Sequence, residues 1–121
     1  MTRAAWLVMA LGNPSRGDDA LGPLLIERLR ASGVEEEGDV ELCTEFGLQI
    51  EHALDLSDRR GVLFVDAARP GAVDGVALWP LEPAAERTPF THVLSAAALL
   101  AIAQRLAGSV PPAWQLALEG D

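Results

Sequence analysis

A strand, a polar loop and a helix follow one another at the start of this chain, and that order constrains the fold more than any other feature. Ala4 to Leu11 is an apolar run short enough for a buried strand. Leu24, Leu25, Arg28 and Leu29 then fall at helical spacing, with Pro23 acceptable in the first turn; the helix is predicted to run to about Ser32 and stop at Gly33. The loop between them carries two adjacent carboxylates, Asp18 and Asp19. In open α/β sheets ligands sit just beyond the carboxyl ends of strands, so this loop is a candidate binding site.

Val62-Leu-Phe-Val65 is the clearest strand: continuously apolar, β-branched and closed by Asp66. A run without alternation belongs at the centre of a sheet, buried on both faces. Shorter signals give a strand over 40–44 and a short helix over 50–56 with Ile50, Ala53, Leu54 and Leu56 on its apolar side. Strands are also predicted over 76–79 and 114–118. The connection from Asp66 to Val76 is too short for a helical crossover, so the fourth strand is predicted to run antiparallel. Ser95 reads as the N-cap of a helix through Ala107, with Leu99, Ile102 and Leu106 on the buried stripe and Gly108 as the stop. The resulting β-α-β-α-β-β-α-β order implies a three-layer α/β domain.

The 121 residues suffice for a single domain over 1–121 with a real core. No apolar run approaches the roughly 18 residues of a membrane span, and the start of the chain lacks a signal-peptide pattern, so the expectation is a cytoplasmic protein without a membrane partner. Cys43 is the only cysteine; it excludes an internal disulfide and cysteine-cluster metal sites and is expected to be a small core residue on a strand. The net charge of −9, with nine scattered arginines and no lysine, argues against nucleic acid as a partner. The acidic cluster Glu35, Glu36, Glu37 and Asp39 is read as a solvated connection.

Gly12, Gly17 and Gly22 lack the spacing of a phosphate-binding turn, and two carboxylates occupy the ground a phosphate would need. A cation, or a cation-bearing partner, is the better ligand; capping of the following helix is the competing role for one of the pair. Asp19 follows the first strand, Asp66 ends the third, and His92 precedes the helix leading to the last. All three are expected on the same sheet edge, where two carboxylates and an imidazole suit a divalent first-row metal with open positions. His52, inside a short helix without a neighbouring ligand, is expected to be structural.

Leu11-Gly-Asn-Pro-Ser-Arg-Gly-Asp-Asp-Ala-Leu-Gly22, Leu63-Phe-Val-Asp-Ala67 and Thr91-His92, in this order and spacing, resemble the hydrogenase maturation proteases. These endopeptidases remove a C-terminal extension from the large subunit of nickel–iron hydrogenase after nickel insertion. The resemblance implies an α/β/α sandwich whose five-stranded mixed sheet has its fourth strand antiparallel. It also implies that the metal-contacting and catalytic positions fall on Asp19, Asp66 and His92. The family often has Glu where this chain has Asp19. Its members usually continue past the last strand into a C-terminal helix, whereas this sequence stops at Asp121, so the expected domain is one without that helix.

The mechanism implied is an aspartic-type, metal-directed hydrolysis. Nickel arrives with the substrate, the unprocessed large subunit, and is met by Asp19, Asp66 and His92; cadmium or zinc are possible surrogates. Either a metal-bound or a carboxylate-assisted water would attack the peptide carbonyl. No Ser–His–Asp arrangement is apparent, and Cys43 lies inside a strand rather than an electropositive loop. Two other readings remain: the Leu11-Gly-Asn-Pro14 opening also resembles peptidyl-tRNA hydrolase, which would need a basic RNA-facing surface, and a non-catalytic relative could act as a chaperone or scaffold for a metallated partner.

Overall fold

The apolar runs become five strands, and the alternation hidden inside them decides where each side chain goes. In the computed structural model, which describes residues 3–12, 20–68, 75–85 and 94–119, the strands are β1 (Trp6–Leu11), β2 (Val40–Glu45), β3 (Gly61–Ala67), β4 (Val76–Leu81) and β5 (Ala113–Leu118). The helices are α1 (Leu21–Ala31), α2 (Val34–Glu37) and α3 (Ala96–Ala107), with a 3₁₀ helix over Ile50–Asp55. The sheet order is β2-β1-β3-β5-β4, parallel except for β4, which pairs antiparallel with β5 as its short connection required.

β3 is central; Val62, Phe64 and Val65 of its continuous apolar run are fully buried, on opposite faces, while Leu63 is only partly covered. Val62 and Phe64 pack with Leu7, Met9, Leu56, Leu99 and Leu100 on the side of α3 and the 3₁₀ helix. Val65 packs with Ala10, Leu42 and Ile26 on the side of α1. The three-layer α/β/α expectation therefore holds.

Helix ends follow the local chemistry. Ser95 Oγ accepts the N–H of Ala98 at 3.1 Å, and α3 stops at Gly108 with φ of 85°, the left-handed conformation glycine adopts without strain. α1 has Ala20 at its N-cap; Asp18 and Asp19, and the capping role weighed for one of them, lie outside the described residues. Gly22 is what allows α1 to start so near the sheet: a Cβ there would lie 3.0 Å from the carbonyl oxygen of Leu11 and 3.3 Å from Ala10 Cβ.

Three expectations are corrected. The acidic segment is not merely a solvated connection: Val34–Glu37 forms α2, and Glu35 pairs with Arg30 at 3.1 Å. Residues 50–55 form a 3₁₀ helix that buries Ala53 and, just past its end, Leu56, whereas Ile50 and Leu54, also expected on the apolar side, are each 62 % exposed. On α3 the buried stripe runs through Ala96, Leu99, Leu100 and Ala103; Leu106 falls on its flank and is 65 % exposed.

At the opposite end from the strands' carboxyl edge, Arg59 ties three elements together. Its guanidinium donates to the Asp55 and Ala4 carbonyls at 3.0 Å each and meets Glu41 at 2.8 Å. On the α1 face, the same end holds an open apolar recess of about 420 Å³ lined by Trp6, Val8, Leu63, Leu78, Trp114 and Leu116.

Candidate functional site

The carboxyl edge of the sheet is fixed by the described ends of β1, β2 and β3. β1 ends at Leu11, and Gly12 donates its N–H to the Glu45 carbonyl at 3.0 Å, fastening the exit of β1 to that of β2. The described chain resumes at Ala20, the residue after Asp19. From there Gly22 approaches both Leu11 and the carbonyl oxygen of Val65, its Cβ position lying 3.6 Å from the latter, so α1 begins against the ends of β1 and β3.

Asp66 is on β3, one residue from its end, opposite Ala117 of β5. It is partly buried, and its Oδ1 accepts the N–H of Ala67 at 2.8 Å, which orients the carboxylate locally. Asp19 and His92 lie outside the described residues, as do Asn13 and the segment 69–74. Leu94, two positions past His92, forms an antiparallel bridge with Leu48, which follows β2. Of the three predicted site residues, then, the structure places Asp66 and the described neighbours of the other two on one edge. Among the described residues, no three histidine, cysteine or acidic side chains lie together as a metal site.

Two side chains at this edge have defined roles. His52 is structural, as expected, although it does have a partner. Its Nδ1 accepts the Gln49 N–H at 2.8 Å, forming a capping box with the Gln49 side chain. An accepting Nδ1 leaves the ring proton on Nε2, which faces Glu45 at 3.5 Å. The three-residue spacing of Gln49 and His52 just before an apolar segment is the sequence signal for that box.

Cys43 is half-buried, and its thiol is pushed up to about 12, chiefly by burial and then by the carboxylates of Glu45, Glu41 and Asp55. It stays a protonated thiol at neutral pH, which removes the nucleophile of cysteine catalysis.

No family model matches the chain, and no curated protein does. Its fold has clear counterparts among solved structures. The NiFe hydrogenase maturation protease HycI from Thermococcus kodakarensis superposes with a TM-score of 0.69 at 24 % identity, over 98 % of this chain and 76 % of that one. This is the fold of the hydrogenase maturation proteases. The hydrogenase maturating endopeptidase HybD from E. coli gives 0.65 at 21 % identity, covering 100 % of this chain and 75 % of that one. The hydrogenase 2 maturation peptidase from a Thaumarchaeota archaeon gives 0.57 at 20 % identity, covering 94 % and 78 %. Among the described residues no helix is long and apolar enough to cross a membrane.

Proposed function

We propose that this chain is an endopeptidase of hydrogenase maturation, one that removes the C-terminal extension of a nickel–iron hydrogenase large subunit after nickel has been inserted. The observation that supports this reading most is Asp66, a carboxylate at the carboxyl end of the central strand in a chain with the maturation-protease fold. In this reading Asp19, Asp66 and His92 act together toward the nickel that the substrate carries. Two carboxylates and one imidazole match a divalent first-row ion, and cadmium or zinc would compete for the same ligands.

Nickel in the precursor fixes the scissile peptide bond relative to the two carboxylates, so positioning supplies much of the rate. A water molecule adds to the carbonyl carbon as a carboxylate takes its proton. The carbon–nitrogen bond then breaks with a proton delivered to the departing amine, leaving a new C-terminal carboxylate and a free extension. Cys43 takes no part, because its thiol remains protonated.

The test is incubation with a nickel-loaded, unprocessed large subunit, followed by mass spectrometry. The expected result is a subunit shortened at its C-terminus, a nickel-free precursor left intact, and no product with Asp66→Asn. Equal cleavage of nickel-loaded and nickel-free precursor would refute the metal-directed mechanism. Binding without cleavage would instead support a scaffold for a metallated partner.

A further inference from the structure

β2 is one of the two edge strands of the sheet, and its free edge is treated differently along its length. The hydrogen bonds Trp6 N–H to Asp39 and Gly12 N–H to Glu45 fix which residues face β1. In a parallel ladder the same residue both donates and accepts toward one neighbour, so 39, 41, 43 and 45 point inward. The main-chain groups of Val40, Leu42 and Thr44 therefore point outward.

At Leu42 that edge is closed by side chains. The Leu42 N–H reaches Glu35 Oε2 at 3.4 Å, and the Leu42 carbonyl accepts from Arg30 Nη2 at 3.4 Å. Arg30 and Glu35 bond each other at 3.1 Å, so the pair stands in for a neighbouring strand, the usual protection of an exposed edge. At Thr44, one step nearer the candidate site, no described side chain does this, and Thr44 is exposed. Immediately beyond, Phe46 is 80 % exposed. The loop that carries it is fastened on both sides, by the Glu45–His52 pair and by the Leu48–Leu94 bridge.

We propose that this open end of β2, from Thr44 to Phe46, seats the substrate's chain: an extended segment pairs with the Thr44 main chain and lays an apolar side chain against Phe46. Strand addition of this kind takes affinity from main-chain hydrogen bonds and specificity from the neighbouring side-chain contact. The Arg30–Glu35 plug at Leu42 separates the Thr44 register, which adjoins the site, from the start of β2. An added strand lies three strand spacings from β3, roughly 14 Å from Asp66. An extended chain crosses that distance in about four residues. The seated segment is thus about four residues from the bond cut. The proposal rests on the peptidase reading given above, and it names a recognition surface rather than a catalytic group.

Hydrogen exchange on Asp66→Asn mixed with nickel-loaded precursor tests it; the asparagine keeps an oxygen ligand but cannot take a proton. The Thr44 amide is expected to exchange at least about tenfold more slowly in the complex, while the Leu42 amide, already bonded to Glu35, is unchanged. Phe46→Ala is expected to raise KM about tenfold, with kcat and unfolding midpoint unchanged, and Phe46→Leu to recover most of the loss. A bound precursor without Thr44 protection, or unchanged KM in Phe46→Ala, overturns the edge proposal while leaving the peptidase reading intact. Wild type that neither binds nor cleaves the precursor overturns both.

Discussion

Replacing Gly22 by alanine tests how α1 is seated against the edge that carries Asp66. The added Cβ would sit 3.0 Å from the Leu11 carbonyl oxygen, 3.3 Å from Ala10 Cβ and 3.6 Å from the Val65 carbonyl oxygen. Two of these atoms are backbone in β1 and β3, so they cannot swing aside; the helix start must retreat by a few tenths of an ångström. Overpacking of this kind costs about 1–3 kcal/mol. Against it stands the gain of replacing glycine in a helix, up to about 1 kcal/mol. The net expectation is a loss of about 1 kcal/mol, or a fall in Tm of roughly 3–6 °C for a domain of this size. Thermal and urea unfolding would measure it. Gly47→Ala is the control: its Cβ meets nothing within 4 Å, so it should be neutral or gain a few tenths of a kcal/mol. If Gly22→Ala is as stable as Gly47→Ala, α1 does not sit this close to β1 and β3. Under the proposed function its cleavage rate should fall as well, since the displaced helix start adjoins Asp66.

Arg59→Ala should lose about 2–4 kcal/mol in urea unfolding, because the Ala4 and Asp55 carbonyls lose their donor together with the Glu41 pair. Arg59→Lys should recover only part, a single ammonium being unable to serve three acceptors in that fork geometry. Ser95→Ala should lose about 1 kcal/mol through the Ala98 N–H it leaves uncapped. Cys43 raises a pH-dependence: its folded value of about 12 lies above the 9.0 of an unperturbed thiol. Below pH 9 both states hold the proton; between 9 and 12 only the unfolded chain gives it up, so wild type should lose stability in that window relative to Cys43→Ala. A thiol reagent should leave native Cys43 largely unmodified at neutral pH.

What could be read in advance was whatever local chemistry decides. Val62 to Val65 announced a central strand because only burial on both faces permits an unbroken apolar run, and Ser95 with Gly108 announced both ends of α3. The antiparallel β4 followed from a connection too short to cross over. What escaped was whatever depends on partners that only the folded arrangement of neighbouring elements brings within bonding reach. Glu35 looked like one charge in a solvated run because the group it bonds, the Leu42 main chain, becomes its neighbour only when β2 joins the sheet. Leu106 and Leu54 are apolar residues near the buried stripe, and only the packing of α3 against the 3₁₀ helix leaves them outside. At the candidate site, the position of Asp66 was legible from its strand, whereas the Glu45–His52 pair required knowing that the ends of β2 and the 3₁₀ helix meet.

The two ends of the α1 face differ in a way that bears on the site. β1 and β3 run in parallel, with Trp6 beside Gly61 at one end and Ala10 beside Val65 at the other. α1 closes the second end with Ile26 and Gly22, and Asp66 lies directly past it. The open recess between Trp6, Leu78 and Trp114 lies toward the first end and toward β5 and β4. A ligand site needs its supporting backbone held to a fraction of an ångström, and close packing supplies that where a recess cannot. Asp66 follows Val62 and Phe64 in the alternation of β3, so its side chain leaves the sheet on the side of α3, while the strand end that carries it is backed on the other side by the part of the face that α1 closes. Substitutions in the recess, such as Leu78→Ala on the exposed edge strand, should change neither the position of Asp66 nor the cleavage rate, whereas a change of the same size at Ile26 should disturb both.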